Sequence, residues 1–347
     1  MIKPRKLQQG QTVAAVTLSW GGPGAFPHRY EVGKRQLEEE FGLRVVAMPH
    51  ALRDPGWIAR NPAARADDLM QAFADPGIAG IVSTIGGDDS IRLLRYLDLD
   101  VIRNNPKILL GLSDTTVTHF AAYRAGLVSF YGPSLMLGFA ENGGMFAYTV
   151  DSLRRMLFTE EPVGVIQPNV AGWTVEHLEW ADPSNQVRRR KLQPSAGWHW
   201  LQGSGTVQGH LIGGCVEVLE FLRGTDLWPD LDRWNHAILF LETSEMTTTP
   251  ERLSWILRTY AAMGILGRLA GILIGRPGGT LYSDAQYREY DDAVLKIVRD
   301  EEGRDQLPVI TMMDLGHTDP NFVLPYGVQA QISSERREFA IIESAVT

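Results

Sequence analysis

Residues 108–125, ILLGLSDTTVTHFAAYRA, join a short apolar run to a longer segment with helical spacing. The run 108–111 predicts a buried strand, Leu112-Ser113-Asp114 predicts a tight turn, and residues 115–125 predict the following helix. The same alternation occurs earlier in the chain, with apolar runs at 13–18, 43–46 and 78–85 and helical patterns at 29–41, 63–73 and 90–97. This alternation predicts a parallel sheet covered by helices.

The length of 347 residues suits two domains, at roughly 150 residues each. Residues 166–205, here called the tryptophan segment, interrupt the alternation with three prolines, four tryptophans and a basic run. We expect an N-terminal parallel-sheet α/β domain at 1–165, a linker with a substrate loop at 166–205, and a C-terminal α/β domain at 206–347. Ligand sites favour the seams between domains, so we place the active site in the cleft between the two.

Composition excludes several classes of protein. The chain is 44% hydrophobic and 21% charged, which is ordinary for a globular protein. Its net charge of −8 argues against binding a nucleic acid polymer, which requires a cationic surface. The most apolar stretch, residues 261–275, is shorter than the ~20 residues that span a bilayer, so we expect no membrane partner. Cys215 is the single cysteine, which excludes an internal disulfide and favours a cytoplasmic location.

The first apolar run also has an alternative interpretation. Basic residues precede it, as they do in a weak signal peptide, but the run is short and rich in β-branched residues. We therefore expect a buried first strand.

Ser113 is the candidate nucleophile. A serine on a sharp strand-to-helix turn is held at the edge of the sheet with its hydroxyl exposed, and the next amide points at whatever binds there. The usual hydrolase turn has glycine two places after the serine, whereas this chain has Thr115. The alternative is that Ser113 or Asp114 caps the helix.

A nucleophilic serine needs a base, and the base needs an orienting group. His317 is the candidate base, because it lies in a polar loop directly after the predicted buried strand 309–312. A solvated loop histidine is the alternative. Glu242 ends the apolar run 237–241, where a carboxylate is costly to bury without a partner, so it is the candidate orienting acid.

A helix start near Pro250 gives an alternative role to the acidic residues before it. Three threonines, Thr247, Thr248 and Thr249, precede this proline, and a threonine can cap a helix whose first residue is proline. Glu245 could cap this helix instead of acting in catalysis, and the same role is less suited to Glu242.

A glycine-rich turn, Ile85-Gly86-Gly87-Asp88-Asp89-Ser90, follows the predicted strand 78–84. Glycines between a strand and a helix let backbone amides approach a ligand closely and hold an anion at the helix start. The same geometry serves a phosphate or an oxyanion.

Four motifs together resemble one family, the serine peptidases that comprise murein LD-carboxypeptidases and microcin C self-immunity proteins. They are residues 84–90 (TIGGDDS), 111–115 (GLSDT), 240–245 (FLETSE) and 316–320 (GHTDP), which occur in the family's order over nearly the whole chain. The resemblance implies a catalytic triad of Ser113, Glu242 and His317. It also implies an oxyanion hole formed by the amides of Gly86 and Asp114, with no cofactor and no metal ion.

The chain resembles the immunity branch more than the murein branch. Murein enzymes usually have an arginine and a tyrosine around the first glycine pair, where this chain has Ile85 before the pair and two aspartates after it. The tryptophan segment is similar to the loop that covers a nucleotide in the immunity proteins. The resemblance therefore implies hydrolysis of the amide-type bond between an acidic aminoacyl group and a nucleotide or sulfamoyl-nucleotide, by a homodimer.

The tryptophan segment also has a physical reason to bind a base. Its four tryptophans, Trp173, Trp180, Trp198 and Trp200, are costly to leave in water and could stack on a base or pin the segment to the domain seam. Of the residues outside the triad, we expect Gly87, Trp180 and Trp198 to contact substrate. The basic run 188–191 could meet a phosphate or form a solvated face.

Two other functions stay open. One is a murein tetrapeptide LD-carboxypeptidase, whose substrate is a short peptide. The other keeps the fold but makes the Gly86-Gly87 turn and the tryptophan segment a nucleotide-binding module without turnover.

Overall fold

The computed structural model describes residues 1–246 and 248–347. Within these residues two sheets lie side by side, with helices packed on them. The strands are β1 (Thr12–Val16), β2 (Arg44–Ala47), β3 (Ile78–Ser83), β4 (Ile108–Gly111), β5 (Phe130–Tyr131), β6 (Gly164–Ile166), β7 (His199–Gln202), β8 (Thr206–Cys215), β9 (Ile238–Glu242), β10 (Gly271–Gly275), β11 (Val309–Met313), β12 (Leu324–Pro325), β13 (Gln329–Ser333) and β14 (Glu338–Ile341).

The helices follow the strands in the alternation that the sequence predicts. They are α1 (Gly22–Ala25), α2 (Pro27–Phe41), α3 (Pro55–Arg60), α4 (Pro62–Ala74), α5 (Leu99–Asn104), α6 (Thr116–Ala125), α7 (Ala147–Leu157), α8 (Val216–Leu222), α9 (Pro250–Ala262) and α10 (Asp284–Leu295). The helical pattern at 90–97 forms a 3-10 segment, Ser90–Tyr96, instead of an α-helix. No helix of the described residues is long and apolar enough to cross a membrane.

The first sheet has the order β12-β5-β4-β3-β1-β2 and is parallel except for β12. The second has the order β6-β14-β13-β8-β9-β10-β11-β7, with a parallel centre from β8 to β11 and antiparallel strands on both sides. The expected pair of α/β domains is confirmed. The second sheet is mixed because the strand pair at the C-terminus and two strands from the middle of the chain join it.

Sheet membership does not follow the boundaries 1–165, 166–205 and 206–347. Strand β6, at the first boundary, pairs with β14 in the second sheet, and β7 of the tryptophan segment pairs with β11 there. Conversely, β12 belongs to the C-terminal part of the chain but pairs with β5 of the first sheet. The two sheets are therefore connected by strands that cross between them.

This arrangement brings four strand ends together at the cleft. Strands β3 and β4 end there from the first sheet, and β9 and β11 end there from the second. All four are fully or largely buried runs of apolar residues, which suits strands covered on both faces. The loops that follow them carry the four motifs of the sequence analysis.

Candidate active site

Ser113 occupies the turn between β4 and α6, at the start of a 3-10 turn that continues into the helix. Its φ angle is 62°, in the left-handed region that a residue with a side chain enters at a cost of about 1–3 kcal/mol. The strain is held by neighbours: the Ser113 amide donates to the Tyr131 hydroxyl at 3.0 Å, and the Ser113 carbonyl accepts from the Thr116 hydroxyl at 2.7 Å. The residue is 9% exposed and is neither fully buried nor a helix cap.

Glu242 and His317 form a buried pair across the second sheet. Glu242 ends β9 and is 0% exposed, while the loop after β11 places the His317 Nδ1 atom 2.6 Å from its Oε2 atom. Burial by itself lowers the pKa of His317, but the Glu242 carboxylate more than offsets this and raises the pKa from 6.5 to about 9. A buried carboxylate on Nδ1 fixes the orientation of the imidazole and leaves Nε2 as its other functional nitrogen.

Tyr131 is a functional residue that the sequence reasoning missed. It lies on β5 in the first sheet, is almost fully buried, and its hydroxyl donates a hydrogen bond to the Oε1 atom of Glu242. Burial raises the pKa of Tyr131, so the hydroxyl stays protonated and acts as a donor. Because the same hydroxyl accepts from the Ser113 amide, Tyr131 connects the serine turn to the acid. The feature of the sequence that could have identified Tyr131 is a tyrosine within an apolar run, since a buried phenol needs a polar partner.

Ser113 and His317 line one cavity of about 590 Å³. In the part of the chain that the structure describes, the Ser113 hydroxyl makes no hydrogen bond, and the His317 Nε2 atom lies 3.5 Å from the Glu245 carboxylate. Catalytic hydrogen bonds are often long in a protein without substrate and shorten in the complex. The geometry therefore brings the expected serine and histidine to one cavity, while the expected glutamate is buried behind the imidazole, at Nδ1.

Gly86 and Asp114 both adjoin Ser113: Gly86 lies in the loop 84–90, and Asp114 follows Ser113 in the serine turn. A Cβ atom on Gly86 would lie 2.8 Å from the Ser113 Cβ and 3.4 Å from the Asp114 amide nitrogen, so only glycine permits this approach. Among the described residues, neither amide donates to a protein acceptor. Two amides without a protein acceptor beside a serine are available as donors to a ligand, as an oxyanion hole requires.

The Asp114 side chain connects these two loops. It is fully buried, and its carboxylate accepts from the Ser90 amide at 2.9 Å and from the Ser90 hydroxyl at 2.7 Å. Burial raises the pKa of Asp114. The carboxylate therefore fixes the loop 84–90, and with it Gly86, against the serine turn.

Gly87 lines the same cavity. Its φ angle is +146°, and a Cβ atom there would lie 2.3 Å from the Ser19 hydroxyl, so the position excludes any side chain. The Ser19 hydroxyl accepts from the Asp89 amide at 3.1 Å, and Asp89 pairs with the fully buried Arg65 at 2.5 Å. Of the two aspartates that follow the glycine pair, Asp89 therefore anchors the loop 84–90.

Trp180 lies in the cavity wall, next to Trp20 at a ring-centroid distance of 6.4 Å. The Arg29 guanidinium, which does not line the cavity, lies 4.2 Å from the centre of the Trp180 ring, and His28 bonds to the Trp180 carbonyl at 2.8 Å. These contacts hold the indole in place. Trp20, which follows β1, is a further wall residue that the sequence reasoning did not select.

The structure places Trp198 elsewhere. It is 8% exposed, packs on Phe322 and Phe339, and donates from its indole nitrogen to the Asp314 carboxylate at 2.8 Å. An indole in this position stabilises the second sheet and does not line the cavity. The tryptophan segment therefore places one indole in the cavity wall and another in the core of the second sheet.

The basic run is also divided between two roles. Arg190 lines the cavity, where it pairs with the carboxylates of Glu141 and Asp319. Arg188, Arg189 and Lys191 are exposed outside the cavity wall. Because both partners of Arg190 are anionic, its charge is already compensated within the protein.

Thr249 is the residue that caps α9: its hydroxyl accepts from the Arg252 amide. Glu245 is therefore free of the capping role that the sequence left open for it. Thr247 lies outside the described residues.

Comparison with known proteins agrees with these observations. Residues 13–132 match the family model of the LD-carboxypeptidase N-terminal domain, and residues 208–332 match that of the LD-carboxypeptidase C-terminal domain. The microcin C7 self-immunity protein MccF of Escherichia coli is 33% identical over 80% of this chain and 78% of its own length. The chain belongs to the LD-carboxypeptidase family. The resemblance inferred from the four motifs is confirmed, and the chain is a serine-peptidase family member.

Members of the LD-carboxypeptidase family on both branches are similar to this chain. An MccF-like protein from Streptococcus pneumoniae, solved in complex with AMP, is 31% identical, with a TM-score of 0.85 over 96% of this chain and 98% of its own. MccF in complex with glutamyl sulfamoyl guanosine is 26% identical, with a TM-score of 0.87 over the full length of both chains. A Bacillus subtilis protein named "Probable murein peptide carboxypeptidase" is 24% identical over 99% of this chain and 95% of its own.

Proposed function

We propose that this chain is a serine hydrolase that cleaves the amide-type bond between an acidic aminoacyl group and a nucleotide or sulfamoyl-nucleotide. In the proposed cycle, His317 removes the proton of Ser113 as its oxygen attacks the acyl carbonyl. Glu242 holds the imidazole by Nδ1 and stabilises the imidazolium that forms. The imidazolium then protonates the leaving nitrogen, and a water molecule activated by His317 hydrolyses the acyl-enzyme.

The amides of Gly86 and Asp114 would bind the oxyanion of the tetrahedral intermediate. Each such donor is worth on the order of 10²–10³ in turnover in other acyl-transfer enzymes. The buried Asp114 carboxylate supports this role, because it fixes both loops before substrate arrives and leaves little reorganisation to the reaction.

The observation that carries the substrate proposal is the shared cavity, in which Trp180 and Trp20 line the same space as Ser113 and His317. A volume of about 590 Å³ suits a nucleotide-sized ligand. An indole held by Arg29 on one side can stack on a base on its other side, a contact worth roughly 1–3 kcal/mol. Nucleotide ligands in the MccF and MccF-like structures support the same substrate class.

The proposal includes two further expectations. The family resemblance implies a homodimer, and the single cysteine favours a cytoplasmic location. Both stay predictions, and a sedimentation measurement of the purified chain tests the first.

A direct test compares hydrolysis of aspartyl sulfamoyl adenosine with hydrolysis of a murein tetrapeptide by the same preparation. We expect the nucleotide substrate to be cleaved efficiently and the peptide slowly. Efficient cleavage of the tetrapeptide alone would assign the chain to the murein branch, whose candidate in Bacillus subtilis aligns over nearly its full length. Labelling of Ser113 by a fluorophosphonate separates either enzyme from a nucleotide-binding module, because a binding module has no activated hydroxyl.

A further inference from the structure

Glu245 lies at the reacting end of the cavity without a role in the mechanism above. Its carboxylate is 3.5 Å from the Nε2 atom of His317, and its side chain is 73% exposed, whereas that of Glu242 is fully buried. Glu242 already occupies Nδ1 and orients the imidazole. Glu245 therefore lies on the side of His317 that faces the cavity, where the scissile carbonyl must bind.

The loop that carries Glu245 is held from two directions. The buried Glu217 carboxylate accepts from the Ser244 amide at 3.3 Å and from the Thr248 hydroxyl at 2.7 Å. On the other side Gly279 approaches so closely that a Cβ atom there would lie 2.4 Å from the Glu245 Cα. The position of the Glu245 backbone is thus fixed on both sides of the loop.

A carboxylate at this position is unfavourable for the proposed reaction unless a cation neutralises it. The intermediate carries an oxyanion close to His317, and a second negative charge nearby raises its energy. In the described part of the cavity wall the only guanidinium or ammonium group belongs to Arg190, which is paired with Glu141 and Asp319. The His317 imidazolium is already compensated by Glu242, so a further neutralising cation has to come from the substrate.

We propose that Glu245 binds the free α-ammonium group of the acyl residue. This inference rests on the proposed function, since it concerns the same substrate. In an aminoacyl substrate the α-ammonium is attached to the carbon next to the scissile carbonyl, so a carbonyl placed between Ser113 and the Gly86 amide brings the ammonium close to the face of His317 that Glu245 covers. The site thus selects acyl groups with an unblocked amine, and Glu245 is a specificity-determining residue.

The test uses two ligands that differ only in this amine: aspartyl sulfamoyl adenosine and its des-amino analogue, succinyl sulfamoyl adenosine. Hydrolysis by the wild-type enzyme and binding to the Ser113→Ala variant are both measured. We expect the aspartyl compound to be preferred by roughly 10- to 100-fold in kcat/KM and in affinity, the usual size of a charge-assisted hydrogen bond. Glu245→Gln should remove this preference, so that the two compounds have similar kcat/KM with this variant and similar affinity for the Ser113→Ala/Glu245→Gln variant.

Glu179→Gln is the matched control, because it removes the same charge from another carboxylate of the cavity wall. The amine preference should persist in this variant. A preference that survives Glu245→Gln, or equal use of both ligands by the wild-type enzyme, would overturn the inference and leave the proposed function standing. Failure of the proposed function has a different signature, since neither ligand would then be bound or cleaved, and the inference would fail with it.

Discussion

The Glu242→Gln substitution tests the electrostatics of the buried pair through the pH dependence of hydrolysis. Glu242 raises the pKa of His317 to about 9. A general base must be neutral, so at pH 7 about 1% of the free wild-type enzyme has a competent imidazole, and this fraction rises about 50-fold, to roughly one half, at pH 9. We therefore expect kcat/KM of the wild type to increase with pH through an apparent pKa well above that of an ordinary histidine.

In Glu242→Gln the strongest attraction on the imidazole is lost, and burial is opposed only by the weaker attraction of Glu245 and Glu217. Burial, which lowers the pKa of His317, then has the larger share, so the acidic limb of the variant should move well below that of the wild type. The variant also loses the charge that stabilises the imidazolium in the transition state, at a cost on the order of 10²–10⁴ in turnover. Because the imidazole of the variant is already mostly neutral at pH 7 and that of the wild type is not, the ratio of wild-type to variant activity should grow by up to about 50-fold between pH 7 and pH 9.

The assay is kcat/KM for aspartyl sulfamoyl adenosine between about pH 5 and pH 10, since this parameter reports the ionisations of the free enzyme. Glu245→Gln is the control: its carboxylate also raises the pKa of His317, but by less than Glu242 does and from an exposed position. The acidic limb of the pH profile of Glu245→Gln should move less than that of Glu242→Gln. A wild-type limb at or below pH 6.5, or a constant activity ratio across this range, would refute the reasoning.

Three further outcomes are expected. Ser113→Ala should abolish hydrolysis with the fold intact. A Ser113→Ala/His317→Ala double variant should lose little more activity than either single variant, because members of a triad act as a unit. Additive losses in single-turnover assays would argue against a shared step. Trp180→Ala should weaken binding of a nucleotide substrate by roughly 1–3 kcal/mol, measured as a higher KM. Trp198→Phe should lower Tm and leave KM unchanged. Reversed effects would contradict the assignment of the two indoles. Tyr131→Phe should cost about 1–3 kcal/mol of stability by chemical denaturation and reduce kcat as well, and a loss of stability without a loss of kcat would show that the hydroxyl has no part in orienting Glu242.

Local patterns predicted the elements that carry the site. The serine turn could be predicted because an apolar run, a short polar turn and a helical period lie next to each other in the chain. Positions at strand ends made Glu242 and His317 candidates, since carboxyl ends of parallel strands meet at one edge. These inferences need only residues that are neighbours in sequence.

Features that depend on distant pairing could not be predicted in this way. The two-residue strand β12 has no period of its own, and nothing near residues 324–325 indicates a partner in the first sheet. Trp180 and Trp198 belong to the same irregular segment and share a composition, yet one reaches the cavity and the other packs in the core. Burial of an indole depends on the surface opposite it, which the local sequence does not contain.

The docking of the two sheets and the catalytic geometry depend on the same contacts. Glu242 is a buried carboxylate, and its charge is compensated from both sheets, by the hydroxyl of Tyr131 on β5 and by the imidazole of His317 after β11. Seven residues beyond His317 the chain crosses to the first sheet as β12, where Leu324 pairs with Tyr131 itself. The loop that carries the base is thus attached to the strand that carries the donor to the acid. Separation of the sheets would leave Glu242 buried without one of its partners, which is costly, so the energy that keeps the acid and base in place also opposes opening of the cleft.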